Sequence, residues 1–191
     1  MDNKFQPDKY QAMALKTFNT EGDDLINHAL LGLAGETGEL LDLFKKDQYK
    51  PGFSWWNCKK CGFKGGGYEL KAMVHDGCQN FTPLVLDELG DYSFYARIVS
   101  IPAEVSFEAM AAKFNPDGWD GLEDLLIDLS YQSIKLLWYY RTYGDIDPQR
   151  LQNCVSVMLA IMSKLGVTLE QVIGLNYAKL NSEPTANVWK K

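Results

Sequence analysis

The stretch His28-Ala-Leu-Leu-Gly-Leu-Ala-Gly-Glu36-Thr-Gly-Glu39 and its later counterpart Leu86-Asp-Glu88-Leu-Gly-Asp91 decide how this chain folds. Both lie in apolar runs, Ala29 to Phe44 and Leu84 to Ile98, whose hydrophobic positions recur at helical spacing. Residues three apart sit about 60° from each other around a helix. Glu36 with Glu39, and Glu88 with Asp91, therefore project as pairs, each from one face. Four acids on two facing helices repel one another unless a cation lies between them. Carboxylate-only ligation is what hard divalent ions prefer, Mg²⁺ or Mn²⁺ above all. The alternative is that these acids are the solvated side of two amphipathic helices.

The rest of the chain reads the same way. Tyr10, Met13, Ala14, Thr17 and Phe18 predict a helix after Pro7. Asp23 or Asp24 is placed to cap the next one, which runs through the first acid pair to about Lys46. Gly32, Gly35 and Gly38 lie inside it, each costing up to ~1 kcal/mol against alanine. Three such residues imply close helix–helix approach or a ligand near the backbone. A helix from Thr82 or Pro83 to Ser100 carries the second pair, and Ile101-Pro102 interrupts it. Further helices are expected at 106–114, at 121–143 with Leu122, Leu125, Leu126, Leu129, Ile134, Leu137 and Trp138, at 148–165 and at 168–180. No strand-like alternation longer than a few residues appears outside residues 47–82. The expected fold class is all-α.

The chain has 191 residues, 46% hydrophobic and 23% charged, enough for one packed domain with an insertion or for two small ones. Its net charge of -6 argues against a surface devoted to nucleic acid. No apolar run approaches the ~20 residues that span a bilayer. Met1-Asp-Asn-Lys lacks the pattern of a signal peptide, so a cytoplasmic location is expected. In that compartment four cysteines point to a metal site sooner than to disulfides.

Residues 47–82 break the helical pattern. Cys58-Lys-Lys-Cys61 is followed by His75-Asp-Gly-Cys78 across a glycine-rich stretch, the arrangement a tetrahedral zinc site needs. So little apolar content does not make a core, and structural Zn²⁺ on Cys58, Cys61, His75 and Cys78 would supply the missing stability. A loop with incidental thiols is the plain alternative. Cys154 lies on an apolar helix face and reads as core. Seven lysines between Lys45 and Lys71 stand against Asp47 and Glu69, with Phe53, Trp55 and Trp56 among them. Such an insert is a candidate lid over an anionic ligand or a docking surface for a partner.

The order of these segments resembles the all-α nucleoside triphosphate pyrophosphohydrolases of the MazG-type superfamily. The resemblance is carried by Tyr10-Gln11, by the segment from His28 to Glu39, by Asp87-Glu-Leu-Gly-Asp-Tyr-Ser-Phe-Tyr95, and by Leu165 to Leu180 with Asn176 and Lys179. It covers about half the chain. It implies an all-α pyrophosphohydrolase domain over 1–46 and 83–183, with the cysteine-bearing insert at 47–82 and a tail at 184–191. It implies that Glu36, Glu39, Glu88 and Asp91 hold Mg²⁺ or Mn²⁺. It further implies that Lys45, Lys46, Tyr95, Asn176 and Lys179 lie along the substrate; the chemistry itself needs a carboxylate, Glu36 or Glu39, to orient the attacking water or take its proton. The implied reaction splits a nucleoside triphosphate between its α and β phosphorus atoms.

Two positions depart from the family pattern: Gly35 stands where a glutamate often precedes the first motif acid, and no arginine follows Lys179-Leu180. A homo-oligomer, specifically a dimer, is implied. The extra segment from Pro102 to Arg150 is an alternative source of the same helical partner within one chain. Leu122-Glu-Asp-Leu-Leu-Ile-Asp128 faintly echoes the second acid helix, although Glu123, Asp124 and Asp128 read first as solvated acids. Two other readings stay open: a zinc-bearing interaction module binding protein or nucleic acid, and hydrolysis of another pyrophosphate-containing nucleotide such as an alarmone.

Overall fold

The computed structural model describes residues 23–58, 83–115, 118 and 121–182. Within them the chain is all-α. Six helices follow in order: α1 (Asp23–Tyr49), α2 (Leu84–Ser100), α3 (Phe107–Ala112), α4 (Leu122–Tyr143), α5 (Pro148–Lys164) and α6 (Leu169–Ser182). The helix expected after Pro7, and with it Tyr10 and Gln11, lies outside the described residues, as does the tail.

Local chemistry explains the boundaries. The side chain of Ser106 accepts from the Ala109 amide at the start of α3. Asp147 accepts from the Gln149 and Arg150 amides, and Pro148 occupies the first turn of α5. Thr168 and Gln171 exchange hydrogen bonds of 2.8 and 3.2 Å, a reciprocal cap that starts α6. Gly144, at φ 72°, ends α4 in the left-handed conformation that glycine adopts without steric cost.

The second acid-bearing helix is not amphipathic in place. Helix α2 packs against α1, α3, α5 and α6, and almost every residue along it is buried. Its near-continuous apolar sequence fits a helix covered on all sides. Several of the polar groups it carries inward are matched. Tyr92 and Ser133 share a hydrogen bond of 2.8 Å, and Ser93 donates to the Leu89 carbonyl at 2.7 Å. Arg97, only 2% exposed, pairs with Glu108 of α3 and lies over the Phe107 ring. Cys154 is core, as expected.

Helix α1 lies antiparallel to α4, since Thr37 reaches Ser130 and Asn27 reaches Arg141. On α4 the buried positions are Leu125, Leu126, Leu129, Ser133 and Leu136. Of the apolar residues that predict this helix, Leu125, Leu126 and Leu129 are buried, whereas Ile134 and Trp138 are exposed.

The segment after α1 is anchored better than its composition suggested. Helix α1 runs past Lys46 to Tyr49. Trp55 is buried against Phe44, with ring centroids 5.6 Å apart. The Val85 and Leu84 amides donate to the Trp55 and Asn57 carbonyls, and Cys58 bridges to Pro83. The two ends of the predicted insert thus meet at the start of α2. Among the described residues no single helix is long and apolar enough to cross a membrane.

Candidate metal centre

Two glycines bring the acid-bearing helices and α6 together. A Cβ on Gly32 of α1 would lie 2.5 Å from the Tyr95 ring of α2, so only glycine permits this approach. A Cβ on Gly90 would lie 3.0 Å from the Asn176 Cβ, which seats α6 over the second acid pair. Gly35 and Gly38 face open space and do not contribute to packing. Of the three glycines expected to mark close approach on α1, Gly32 alone does so.

Glu36, Glu88 and Asp91 each offer a carboxylate oxygen within 4.8 Å of the others. Glu88 is buried, and Glu36 and Asp91 are half-buried. Glu39, the fourth acid of the predicted quartet, lies outside this group on the exposed side of α1. It is close enough to act on Glu36 electrostatically.

Helix α6 answers the acids with one amide and one cation. Asn176, itself buried, donates to Asp91 Oδ1 at 2.6 Å. Lys179 Nζ lies 2.6 Å from Asp91 Oδ2 and 3.1 Å from Asp87 Oδ1. Burial pulls the Lys179 ammonium down, but Asp91 and Asp87 outweigh it and hold its pKa above the ordinary lysine value. Asp87 is a residue the sequence reading passed over. Its signal was its place four residues before Asp91, on the same face of the helix.

Among the described residues, Glu36, Asp87, Glu88 and Asp91, with Glu39 at their edge, are set against the single ammonium of Lys179. Glu36 registers the imbalance. Burial first, then Asp91, Glu88 and Glu39, push its carboxyl up to about 9, with Lys179 pulling the other way. Its Oε2 is buried without a hydrogen-bond partner. An orphaned carboxylate oxygen beside two more carboxylates is the donor set of a hard divalent cation, so the residues fit Mg²⁺ or Mn²⁺.

The other predicted site residues divide. Tyr95 is buried beside the acids under Gly32; burial, then Glu36 and Asp91, raise the pKa of its phenol. The His28 ring lies 6.5 Å from it. Lys45 and Lys46 both pair with Asp42 on the surface of α1. Their carboxylate partner is held down to about 2, first by the Lys45 bond and then by the Lys46 bond. By helical geometry Lys46 shares a side of α1 with Glu39, two turns on, while Lys45 points away from Glu36. Cys58 is buried where α2 begins; Cys61, His75 and Cys78 lie outside the described residues. Compared with protein-family models, with curated proteins and with solved structures, the chain finds no match.

Proposed function

We propose that this chain is a divalent-metal-dependent nucleoside triphosphate pyrophosphohydrolase of the MazG-type superfamily, releasing a monophosphate and pyrophosphate. The observation that carries the reading is the meeting of Glu36, Glu88 and Asp91 from two helices beneath Asn176 and Lys179 of a third. The three carboxylates would hold the ion. Bound there, a divalent ion supplies charge neutralisation for phosphate oxygens and a lowered pKa for a coordinated water.

The protein's own groups divide the remaining work. Glu36 belongs to the ligand set. Glu39, one turn along α1 and exposed, is free of that duty and takes the proton from the attacking water. Asn176 and Lys179 fix Asp91 from both sides, so its carboxylate keeps one orientation. Lys46, on the Glu39 side, supplies a point charge for the departing pyrophosphate. Tyr95 forms the floor next to the acids. In the same reading Cys58, Cys61, His75 and Cys78 hold a structural Zn²⁺ that closes the insert between α1 and α2. Metal analysis of the purified protein after removal of loosely bound ions should then return one zinc per chain.

The activity test is direct. The protein is incubated with each nucleoside triphosphate and Mg²⁺, and the products are separated. Equal amounts of monophosphate and pyrophosphate are expected from at least one of them. No cleavage of any triphosphate, or a Glu36→Gln variant as active as wild type, would sink the reading.

A further inference from the structure

Helix α4 carries an apolar stripe that the fold leaves uncovered. Ile127, Tyr131, Ile134 and Trp138 are 54, 56, 54 and 60% exposed. Their spacing of four, three and four residues places them on one narrow face of the helix. Leu31, also exposed, belongs to the neighbouring helix. Asn27 meets Arg141 and Thr37 meets Ser130, so Leu31 lies level with the Ile134–Trp138 end of the stripe. Seven large apolar side chains are exposed among the described residues, and five of them gather here. That concentration is not the scatter an ordinary surface shows.

The charges beside the stripe say what covers it. Glu123 and Arg141 are five turns apart on one flank, and Asp128 and Lys135 are two turns apart on the other. Each flank is acidic toward the start of the helix and basic toward its end. A second α4 laid parallel would bring its opposite flank alongside at the same level, acidic end against acidic end. Laid antiparallel, with Ile127 against Trp138 of the second copy and Tyr131 against Ile134, the outcome reverses. Glu123 then falls within about one residue of Arg141, and Asp128 within about two of Lys135, on the same flank in both cases. This two-fold arrangement is self-complementary in shape and in charge, as an isologous interface must be.

We infer that the exposed face of α4 is the seam on which two copies of this chain pair antiparallel, Ile127 to Trp138 forming its centre. Arg141 keeps its 3.0 Å bond to Asn27 with one nitrogen and has further donors for the opposite copy. Within one copy Glu123 and Arg141 are about 27 Å apart along the helix, so they reach each other only across the seam.

The test is the mass of the full chain in solution at about 50 µM, by light scattering or sedimentation equilibrium, with helical content checked by circular dichroism. Wild type should run at twice the 21.6 kDa of one chain. Trp138→Asp and Ile134→Asp, both on the exposed face, should keep their helical signal and run at the single-chain mass. Glu123→Arg alone should weaken association at least tenfold, and Glu123→Arg with Arg141→Glu should restore it. A monomeric wild type overturns the proposal, because a segment of the same chain or a different partner then covers the stripe. An Ile134→Asp protein that stays dimeric overturns it too, as does a double reversal without rescue.

Discussion

Lys179 Nζ bridges Asp91 and Asp87, at 2.6 and 3.1 Å, and is the cation that lets two carboxylates one turn apart face α6. Asp87 is almost fully buried and Lys179 about a quarter exposed. Removing the ammonium leaves two like charges with little water to screen them. Lys179→Met should therefore destabilise the metal-free protein by about 2–3 kcal/mol, less than a fully buried pair would lose. Urea denaturation in EDTA measures this. Adding Asp87→Asn to that variant should recover part of the loss, because one of the repelling charges is gone.

Glu36 makes the metal-free fold sensitive to alkali. The unfolded chain releases this proton near 4.5, whereas the folded chain holds it to about 9. Between those values the unfolded state binds fewer protons than the folded one, so stability falls as pH rises across that window. Urea midpoints in EDTA should drop from pH 5 to pH 9 on this account. The slope should flatten in Glu36→Gln, and Mg²⁺ should remove most of it in wild type by favouring the ionised carboxylate.

The division between Glu36 and Glu39 separates binding from turnover. Glu36→Gln and Glu88→Gln should each weaken Mn²⁺ binding at least tenfold, read by calorimetry without substrate. Glu39→Gln should bind Mn²⁺ within about threefold of wild type yet lose about 10²–10⁴ in kcat. A Glu39→Gln protein that loses Mn²⁺ affinity as Glu36→Gln does would move Glu39 into the ligand set.

The glycines of α1 give a packing test. Gly32→Ala drives a methyl into the buried Tyr95 ring and should cost about 1–3 kcal/mol, despite alanine's better helix propensity. Gly35→Ala and Gly38→Ala meet open space and should stabilise by about 0.5–1 kcal/mol. The opposite signs of three identical substitutions on one helix are read by thermal or urea unfolding.

The all-α fold was legible because helical periodicity is local. Asp147-Pro148 and Thr168 with Gln171 announce helix starts through hydrogen bonds made within one turn. The acid pairs were legible for the same reason, since residues three apart on a helix share a face whatever surrounds it. Which face meets which neighbour is a different matter. Ile134 and Trp138 match the apolar pattern of α4, but Leu125, Leu129 and Leu136 are the residues that reach the core. Composition alone does not rank two apolar stripes on one helix.

By itself, then, the sequence determined the helices and the four acids that share faces in pairs, although Asp23 and Asp24, read as a cap, lie inside α1. The tertiary structure decided that three of those acids converge and Glu39 does not, that Asp87 joins Asp91 under Lys179, and that α4 keeps an apolar face outward. The reason is the range of the forces involved. Caps and i to i+3 spacing are settled within a turn. The distance between Glu36 and Asp91, by contrast, is set by how closely α1 and α2 approach at Gly32, and by where Gly90 lets Asn176 sit.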